Sequence, residues 1–441
     1  MASDANIRDN VAPEMNRERK SNVNNRNRRV SGQKQNAKPK KKGMIANLLF
    51  SNGSMDIPFF VILMTIVTIG LVMLFSASYT YSYYNRGDST QIFVRQLIFA
   101  IIGIAVMFFV SRIRYEYFRL IALIGVVVSI GLLLVVLVLP EYKPGFKRWI
   151  NLGFTTFQPS EIAKISLIMI LAFLLERNYK GVTGKVPSEM FGIRRLPELT
   201  NGRFTIYKSF TSVIFYGMII LFYAVLIYLE NHVSGTILML AIGVVMLWLG
   251  EVRGRWFTIG VIVAVIAAVV LIANPDILAK YAGERITAWL DKDFEPLRAR
   301  WQTNNSLYAI GSGGLLGTGL GQSKQKHLYV SEPQNDFIFS IVCEELGFVG
   351  AVAIIILFAL LIYRGIKIGM NAKDRFGALL SMGIVFQIGL QVALNIGVVS
   401  DFLPNTGISL PFFSAGGTSL VILLGEMGMV LSVSRSARKK E

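Results

Sequence analysis

Cysteine, histidine and charged residues are scarce in this chain of 441 residues, and each shortage excludes a class of protein. Cys343 is the only cysteine, so no disulfide can form within the chain. The only histidines, His232 and His327, lie in separate polar segments without an H-x-x-x-H spacing, which argues against a zinc-type site. Charged residues make up only 16% of the chain, whereas soluble domains carry about 25%. A disulfide-stapled domain, a zinc enzyme and an ordinary soluble enzyme are therefore disfavoured.

Long apolar runs account for the shortage of charge. Hydrophobic residues make up 53% of the chain, and runs of about 20 residues recur along most of it, each long enough to cross a bilayer as a helix. The sequence predicts an all-α polytopic membrane protein. Its ten predicted spans are 57–79, 96–111, 119–139, 159–176, 209–229, 234–250, 257–274, 336–363, 378–400 and 415–434. Only residues 230–233 separate the fifth and sixth spans, which should form a tight hairpin.

The two ends of the chain are polar and basic. The first apolar run begins after about fifty polar residues, so no cleavable signal peptide is expected. Residues 1–55 are predicted to be a disordered cytoplasmic tail, followed by the membrane domain at 56–435 and a short C-terminal tail at 436–441. The whole chain has a net charge of +18, and its N-terminal tail is basic. The anionic inner leaflet is the favoured partner of this tail, and a nucleic acid is the alternative.

Lysines and arginines of the short connections set the predicted orientation. With the N-terminus inside, the connections after spans two, four, six and eight are basic and lie inside. The outer connections 230–233 and 401–413 hold no lysine or arginine, whereas the one after the third span holds Lys143, Lys147 and Arg148. Both termini are therefore predicted to be cytoplasmic.

The large outer connection, 275–335, carries its own structure signals. Residues 286–290 favour a short amphipathic helix, and 306–321 mix glycines with apolar residues as an interfacial or re-entrant segment would. The glycines look like a nucleotide-binding fingerprint, but no strand precedes them, so that interpretation is rejected.

The first polar set begins at Asp336, where the eighth span meets the outer boundary. Ser340, Cys343, Glu344 and Gly347 follow it at offsets that share one face of a helix. Asp336 is either the N-cap of that helix or a functional acid, and both interpretations stay open.

A second set, Gln158, Ser160, Glu161 and Lys164, begins the fourth span. Glu161 and Lys164 are three apart, so a local ion pair is one interpretation. Lys164 lies about a turn and a half inside the membrane, where a cation faces a cavity and a counter-ion, and Asp336 is the alternative partner.

The third set is the Arg148–Trp149 pair, just before that span. A guanidinium beside an indole can bind a phosphate together with a sugar face or an apolar chain. An ordinary interfacial anchor explains the pair equally simply.

The fourth set lies near the C-terminus. Gln387, Gln391 and Asn395 recur at intervals of four and lead into the Pro- and Gly-containing segment 403–419, which includes Ser414. Irregular backbone at membrane depth is tolerated where it is buried or lines a cavity. Hydrogen bonding between helices explains the stripe as well. Together the four sets predict an outward-facing polar cavity walled by spans four, eight, nine and ten.

Several long motifs identify the chain as similar to the SEDS family (shape, elongation, division and sporulation), and most closely to its FtsW and SpoVE branch. They are RW at 148–149, QPSEIAK at 158–164, SLYAIGSGGL at 306–315, PQNDFIF at 333–339, EELG at 344–347 and LPNTGISLP at 403–411. Their order matches over about residues 56–434. Three places depart from the family pattern: Phe146 in the loop before Arg148, the turn at 230–236, and Ala415.

The resemblance implies a ten-helix peptidoglycan glycosyltransferase that polymerises lipid II, the undecaprenyl-diphosphate-linked disaccharide peptide, outside the bacterial cytoplasmic membrane. It implies a class B penicillin-binding protein, a transpeptidase, as partner, beside other division or elongation proteins. It implies that Asp336 is the catalytic residue, with Arg148 and Lys164, or Mg²⁺ or Mn²⁺, countering the diphosphate. The expected substrate-binding residues are Gln158, Ser160, Glu161, Lys164, Arg148, Trp149, Ser340, Glu344, Asn395 and Ser414. A lipid II flippase is the alternative function, and a catalytically idle scaffold is a third.

Overall fold

The structure is a computed structural model, and it describes residues 53–140, 147–153, 155–183, 208–260, 262, 285–295 and 297–437. The predicted basic tail falls almost entirely outside these residues, as does most of the seventh predicted span. The helices are α1 (Ile57–Arg86), α2 (Gln91–Arg112), α3 (Phe118–Val138), α4 (Pro159–Arg177), α5 (Tyr179–Thr183), α6 (Lys208–Leu229), α7 (Val233–Leu249), α8 (Trp301–Gly313), α9 (Ile338–Met370), α10 (Arg375–Val399) and α11 (Gly417–Ser436). Strands β1 (Ile150–Asn151) and β2 (Thr156–Phe157) form an antiparallel hairpin before α4.

The prediction of a mostly helical polytopic membrane protein is confirmed. Seven stretches of the described residues are long and apolar enough to cross a bilayer: α1, α2, Tyr115–Val138, Thr211–Leu229, α9, α10 and α11. Helix α7 is apolar but has only 17 residues. Helix α4 coincides with the fourth predicted span and is buried along most of its length. Every predicted span but the seventh coincides with a described helix, so the total of ten stays a prediction.

Some predicted boundaries were wrong, because apolar runs end before helices do. The first span continues to Arg86, the second begins at Gln91, and the eighth continues to Met370. Polar residues extend these helices beyond their apolar cores. The tight hairpin between spans five and six is confirmed, since α6 ends at Leu229 and α7 begins at Val233.

Local signals set both ends of α1. The Asp56 carboxylate accepts a hydrogen bond from the Phe59 amide at 2.9 Å, which caps the first turn. Pro58 occupies an early position where its missing N–H is not needed. Gly87 ends the helix with a φ of 74°, a conformation that glycine adopts without strain. The turn to α2 is therefore short.

A charge network ties helices together at the end of the bundle opposite Asp336. Arg119 donates to Glu176 and to Asp374 at 2.8 Å each, and its guanidinium lies over the ring of Phe376. The Tyr115 hydroxyl donates to the same Asp374 at 2.9 Å. Because these residues belong to α4, α10 and the segment around the start of α3, the network fixes how these helices meet.

Helix α9 is broken at Gly347, and the loop after α8 fills the break. Gly347 has a φ of 68° and a ψ of −171°, so the helical hydrogen bonds are interrupted there. The loop restores them through four backbone bonds: Thr318 N to Glu344 O (2.9 Å), Gly319 N to Glu345 O (3.1 Å), Phe348 N to Gly314 O (2.9 Å) and Val349 N to Leu315 O (3.1 Å). An interrupted helix inside a membrane needs such partners for its exposed peptide groups. Residues 314–319 thus enter the bundle as a re-entrant segment would.

Replacing Gly347 with alanine is expected to destabilise the protein by about 3 kcal/mol or more. A Cβ atom there would lie 2.2 Å from the Gly317 nitrogen, and the backbone conformation itself is strained for alanine. The matched control is Gly311→Ala in α8, where a Cβ meets nothing within 4 Å. Thermal unfolding in detergent measures both variants. Equal unfolding temperatures for Gly347→Ala and the wild type would contradict the assigned break.

Candidate active site

A cavity of about 510 Å³ opens at the end of the bundle that carries Asp336. Its walls come from α1, α2, α4, α7, α10 and α11, together with the residues just before α9 and the irregular segment before α11. Many of the residues predicted from sequence line it: Arg148, Trp149, Gln158, Ser160, Glu161, Lys164, Asp336, Gln391 and Ser414. The volume lies within the usual range for a small-molecule site.

The Asp336 carboxylate faces this cavity without a hydrogen-bond donor among the described residues. Helix α9 begins at Ile338, its N-cap residue is Phe337, and no side chain caps it. The interpretation of Asp336 as a helix cap was therefore wrong. A carboxylate that serves no cap and no ion pair is available to a ligand.

Asn395 holds the backbone of Asp336 in place. The Asn395 side chain is fully buried, and its Nδ2 donates to the carbonyls of Asp336 and Ile408 at 2.7 Å each. One side-chain amide thus connects the residues just before α9 to the irregular segment before α11. Asn395 was predicted to bind substrate, but it is not among the residues that line the cavity.

The irregular segment before α11 makes further bonds to the residues before Asp336. The Ser414 hydroxyl donates to the Asn335 carbonyl at 2.8 Å, and the Ala415 amide donates to the Gln334 carbonyl at 2.8 Å. These bonds satisfy backbone groups that no helix satisfies. Ser414 therefore lines the cavity and also holds the chain beside the carboxylate.

Gly407 packs directly against the carboxylate. It has a φ of 71°, and a Cβ atom built there would lie 3.0 Å from Asp336 Oδ2. Both the conformation and the close approach favour glycine at this position. The segment thereby forms a wall within contact distance of the acid.

Burial raises the pKa of Asp336 to about 6, and the nearby Glu332 adds to the increase. The Arg148 guanidinium lowers the pKa of Asp336, and Arg285 lowers it more weakly. Burial in turn lowers the pKa of Arg148. At neutral pH the Asp336 side chain is mainly ionised, while it is a stronger base than an exposed aspartate.

Lys164 is paired with Glu161 in its own helix. The two atoms Lys164 Nζ and Glu161 Oε1 are 2.9 Å apart, and the side chains are only 4% and 11% exposed. Of the two partners that the sequence left open, the structure shows the local one. The cations that lower the pKa of Asp336 are Arg148 and, more weakly, Arg285.

Removing only one partner of this buried pair is expected to be more destabilising than removing both. Lys164→Met leaves a buried, unpaired carboxylate, and such a change costs about 3–5 kcal/mol. Glu161→Gln combined with Lys164→Met should restore much of the loss, as unfolding in detergent would show. The exposed pair Glu295 and Arg298, 3.9 Å apart, is the matched control and should couple by less than about 1 kcal/mol. A buried pair that couples no more strongly than this control would contradict the assignment.

The turn between α6 and α7 adds residues that sequence reasoning did not assign to the site. His232 lines the cavity, and its Nδ1 lies 3.4 Å from Gln158 Nε2. Burial, together with Arg148 and Lys164, lowers the pKa of His232 to about 3, so its ring is neutral. Glu230 is fully buried, which raises its pKa to about 8. Their position in a polar turn between two apolar spans could have indicated that they belong to the site.

Helices α1 and α2 also contribute walls that were not predicted. Arg86, Arg95 and Gln96 line the cavity. Gln96 Oε1 accepts from the Gly416 amide at 3.1 Å, and its Nε2 donates to the Ser414 carbonyl at 3.3 Å. The predicted set of spans four, eight, nine and ten was therefore incomplete. The second span was predicted to begin at residue 96, which left Arg95 in a loop.

Two predicted substrate-binding residues, Ser340 and Glu344, do not line the cavity. The Ser340 hydroxyl donates to the Phe337 carbonyl at 2.7 Å, within the first turn of α9. Glu344 accepts from the Lys324 amide at 2.8 Å and anchors the loop after α8. The prediction placed them on one helical face with Asp336, but Asp336 precedes the helix. Asp336 therefore shares no helical face with Ser340 and Glu344.

The described residues do not form a metal site by themselves. Within the described ranges, no three His, Cys, Asp or Glu side chains converge as metal ligands. Of the acids that line the cavity, Glu161 is already paired with Lys164.

Fold and site together define a polytopic helical membrane protein with a polar cavity at one end, which an ionisable carboxylate and a guanidinium both line. Residues 57–439 match the FtsW, RodA and SpoVE family, described as cell cycle protein, and the chain belongs to this family. It is 37% identical to stage V sporulation protein E of Bacillus subtilis over 387 residues, which cover 87% of this chain and 98% of that protein. It is 36% identical to a probable peptidoglycan glycosyltransferase FtsW of a Geobacter species (strain M18), over 84% of this chain and 94% of that protein.

Solved structures agree with the fold. A chain of a peptidoglycan synthase complex, studied for the coordination of polymerization and crosslinking, matches with a TM-score of 0.68 at 24% identity. Rod shape determining protein RodA of Thermus thermophilus matches with a TM-score of 0.57 at 24% identity. Each match covers 88% of this chain and 99% of the other.

Proposed function

We propose that the chain is a peptidoglycan glycosyltransferase that polymerises lipid II into glycan strands, with Asp336 as its general base. The observation that carries the proposal is the Asp336 carboxylate, which faces the cavity without a partner among the described side chains and feels the charge of Arg148. Relatives of similar length named peptidoglycan glycosyltransferase support the reaction class.

The reaction is a glycosyl transfer with inversion at the donor carbon. The Asp336 carboxylate takes the proton of the acceptor sugar's 4-hydroxyl, and that oxygen attacks the anomeric carbon of the donor. The bond from this carbon to the diphosphate oxygen breaks, and undecaprenyl diphosphate leaves with the electron pair. The new bond is β where the donor bond was α. Arg148 lies where its charge can stabilise the departing diphosphate.

The cavity is proposed to open on the outer face of the bacterial cytoplasmic membrane, with both termini and ten spans arranged as the sequence predicts. The distribution of basic residues supports this orientation, because Arg119 and Arg364 lie at the end opposite Asp336. Lys164, which was predicted to counter the diphosphate, is already neutralised by Glu161, so we assign it to holding the cavity floor.

A class B penicillin-binding protein is the proposed partner, in division, elongation or sporulation. Support comes from the structural relative that belongs to a peptidoglycan synthase complex and from the relatives named for division and for sporulation. The transpeptidase would crosslink the strands that this chain makes.

Vesicles that contain the purified chain, its partner and labelled lipid II test the function. The proposal predicts long glycan strands made from lipid II. Translocation of lipid II without polymer would contradict it and favour a flippase. Neither polymer nor translocation would also contradict it and would favour a scaffold role.

A further inference from the structure

A buried acid, Glu426, lies in the middle of α11, and the proposed reaction does not use it. Glu426 is the tenth of the 20 residues of this helix and is only 1% exposed. Gln387 Nε2 donates to Glu426 Oε2 at 3.0 Å. Gln387 is fully buried and is the thirteenth of the 25 residues of α10. The pair therefore joins two helices near the middle of the membrane.

This pair lies about one helical turn below the cavity. On α11, Leu423 lines the cavity and precedes Glu426 by three residues. On α10, which runs in the opposite direction, Gln391 lines the cavity and follows Gln387 by four residues. One turn of a helix rises about 5 Å, so Glu426 lies about that far beneath the cavity floor.

The surrounding helices supply one cation for two buried acids. Of the helices packed on α11, only α4 brings charges that act on Glu426, and these are Lys164 and Glu161. Lys164 Nζ already lies 2.9 Å from Glu161 Oε1. A buried carboxylate without a cation of its own is costly at membrane depth. One of the two acids therefore needs another source of positive charge.

Two buried oxygen atoms beside Glu426 indicate what that source is. Glu426 Oε1 and Gln387 Oε1 have no hydrogen-bond donor among the described side chains and backbone groups. A carboxylate only accepts hydrogen bonds, whereas a protonated carboxyl group also donates one. A proton on Glu426 would thus remove the buried charge and supply a missing donor.

We propose that Glu426 is a proton-binding site in the membrane core that shares Lys164 with Glu161, so that the acid not paired with Lys164 holds a proton. While Glu426 is protonated, Lys164 stays with Glu161 at the cavity floor. Ionised Glu426 would compete for Lys164 from one turn deeper and draw its charge away from the cavity. Glu426 is therefore a positioning residue for Lys164. That this position matters for glycosyl transfer rests on the proposed function.

Infrared spectroscopy of the purified full chain in detergent tests the site, because the C=O stretch of a protonated carboxyl group is separate from the bands of a carboxylate. The wild-type spectrum minus that of Glu426→Gln should show a protonated carboxyl band at neutral pH. Glutamine has the shape of the protonated acid, so this variant should fold. The matched control is Glu345→Gln, which removes an equally buried acid whose carboxylate lies 2.8 Å from Lys326 Nζ. Its difference spectrum should lack the band.

A second variant tests whether the two acids share Lys164. Glu161→Gln frees Lys164 to pair with Glu426, which should then ionise. The protonated band should disappear even though Glu426 is still present. Lys164→Met is the complementary variant: without the cation both acids should be protonated, and the band should grow about twofold.

Two outcomes would overturn the inference. One is a difference spectrum between the wild type and Glu426→Gln without a protonated carboxyl band. The other is a band of full strength in folded Glu161→Gln, which would show that Glu426 keeps its proton independently of Lys164. Because the spectra are recorded without lipid II, a chain that shows the expected bands but makes no glycan would contradict the proposed function and leave this site standing.

Discussion

Asp336→Asn is expected to reduce glycan synthesis from lipid II by about 10²- to 10⁴-fold, the usual contribution of a positioned base. Asparagine keeps the shape of the side chain but cannot accept the proton of the attacking hydroxyl. The exposed Asp291, in the loop after the helical turn at 285–290, provides the control Asp291→Asn, which should keep wild-type activity. Polymer formation by purified protein with its partner is the measurement.

The same variant should be at least as stable as the wild type at neutral pH. Burial raises the pKa of Asp336 from 3.8 to about 6, so the unfolded state loses its proton at lower pH than the folded state does. Stability contributed by the protonated form is present below about pH 4 and is lost as the pH rises to about 6. Asparagine does not ionise, so the stability of Asp336→Asn relative to the wild type should increase as the pH rises from about 4 to about 6 and should stay higher at neutral pH. An inactive variant that melts well below the wild type at pH 7.5 would contradict this account.

Asn395→Ala is expected to lower kcat by about 10²-fold while changing KM little. The Asn395 amide donates to the carbonyls of Asp336 and Ile408, and without it both lose this donor, the Ile408 carbonyl in a buried position. The acid would then move relative to the substrate, and a displacement of about 1 Å can reduce a rate about 10²-fold. The control is Asn371→Ala, whose amide donates to the Lys367 carbonyl at the opposite end of α9.

The pH profile separates positioning by Asn395 from a purely structural role. If Asn395 sets the surroundings of Asp336, the acidic limb of the rate profile should move away from about pH 6 in the variant. The alternative outcome is a variant that is less stable and yet keeps the wild-type kcat per folded molecule and the wild-type pH dependence. That result would show that Asn395 only supports the fold.

The helical bundle could be predicted because apolar runs determine where helices lie. Polar extensions such as the last turns of α1, up to Arg86, carry no such signal and were missed. The break of α9 at Gly347 was not predicted either, since a glycine inside an apolar helix is common. Only the loop residues that fill the break, which are distant in sequence, explain it.

The candidate site was predicted in part, for a related reason. Asp336, Arg148 and the start of α4 could be identified because each lies at a membrane boundary next to other polar residues. The partner of Lys164 and the role of Asn395 depend on which side chains meet, and spacing left both open. Arg95 was overlooked because one arginine at a helix end does not reveal that it borders a cavity.

The central claim is that ionised Asp336 takes the proton from the acceptor sugar. Its most direct test is the rate of glycan synthesis from lipid II by the purified chain with its partner, measured from pH 5 to pH 8. If Asp336 is the base, the rate should rise as the pH increases through about 6, where Asp336 ionises. Asp336→Asn should lose most of the activity and should show no such rise. A rate independent of pH over this range, or long glycan strands made by Asp336→Asn, would contradict it.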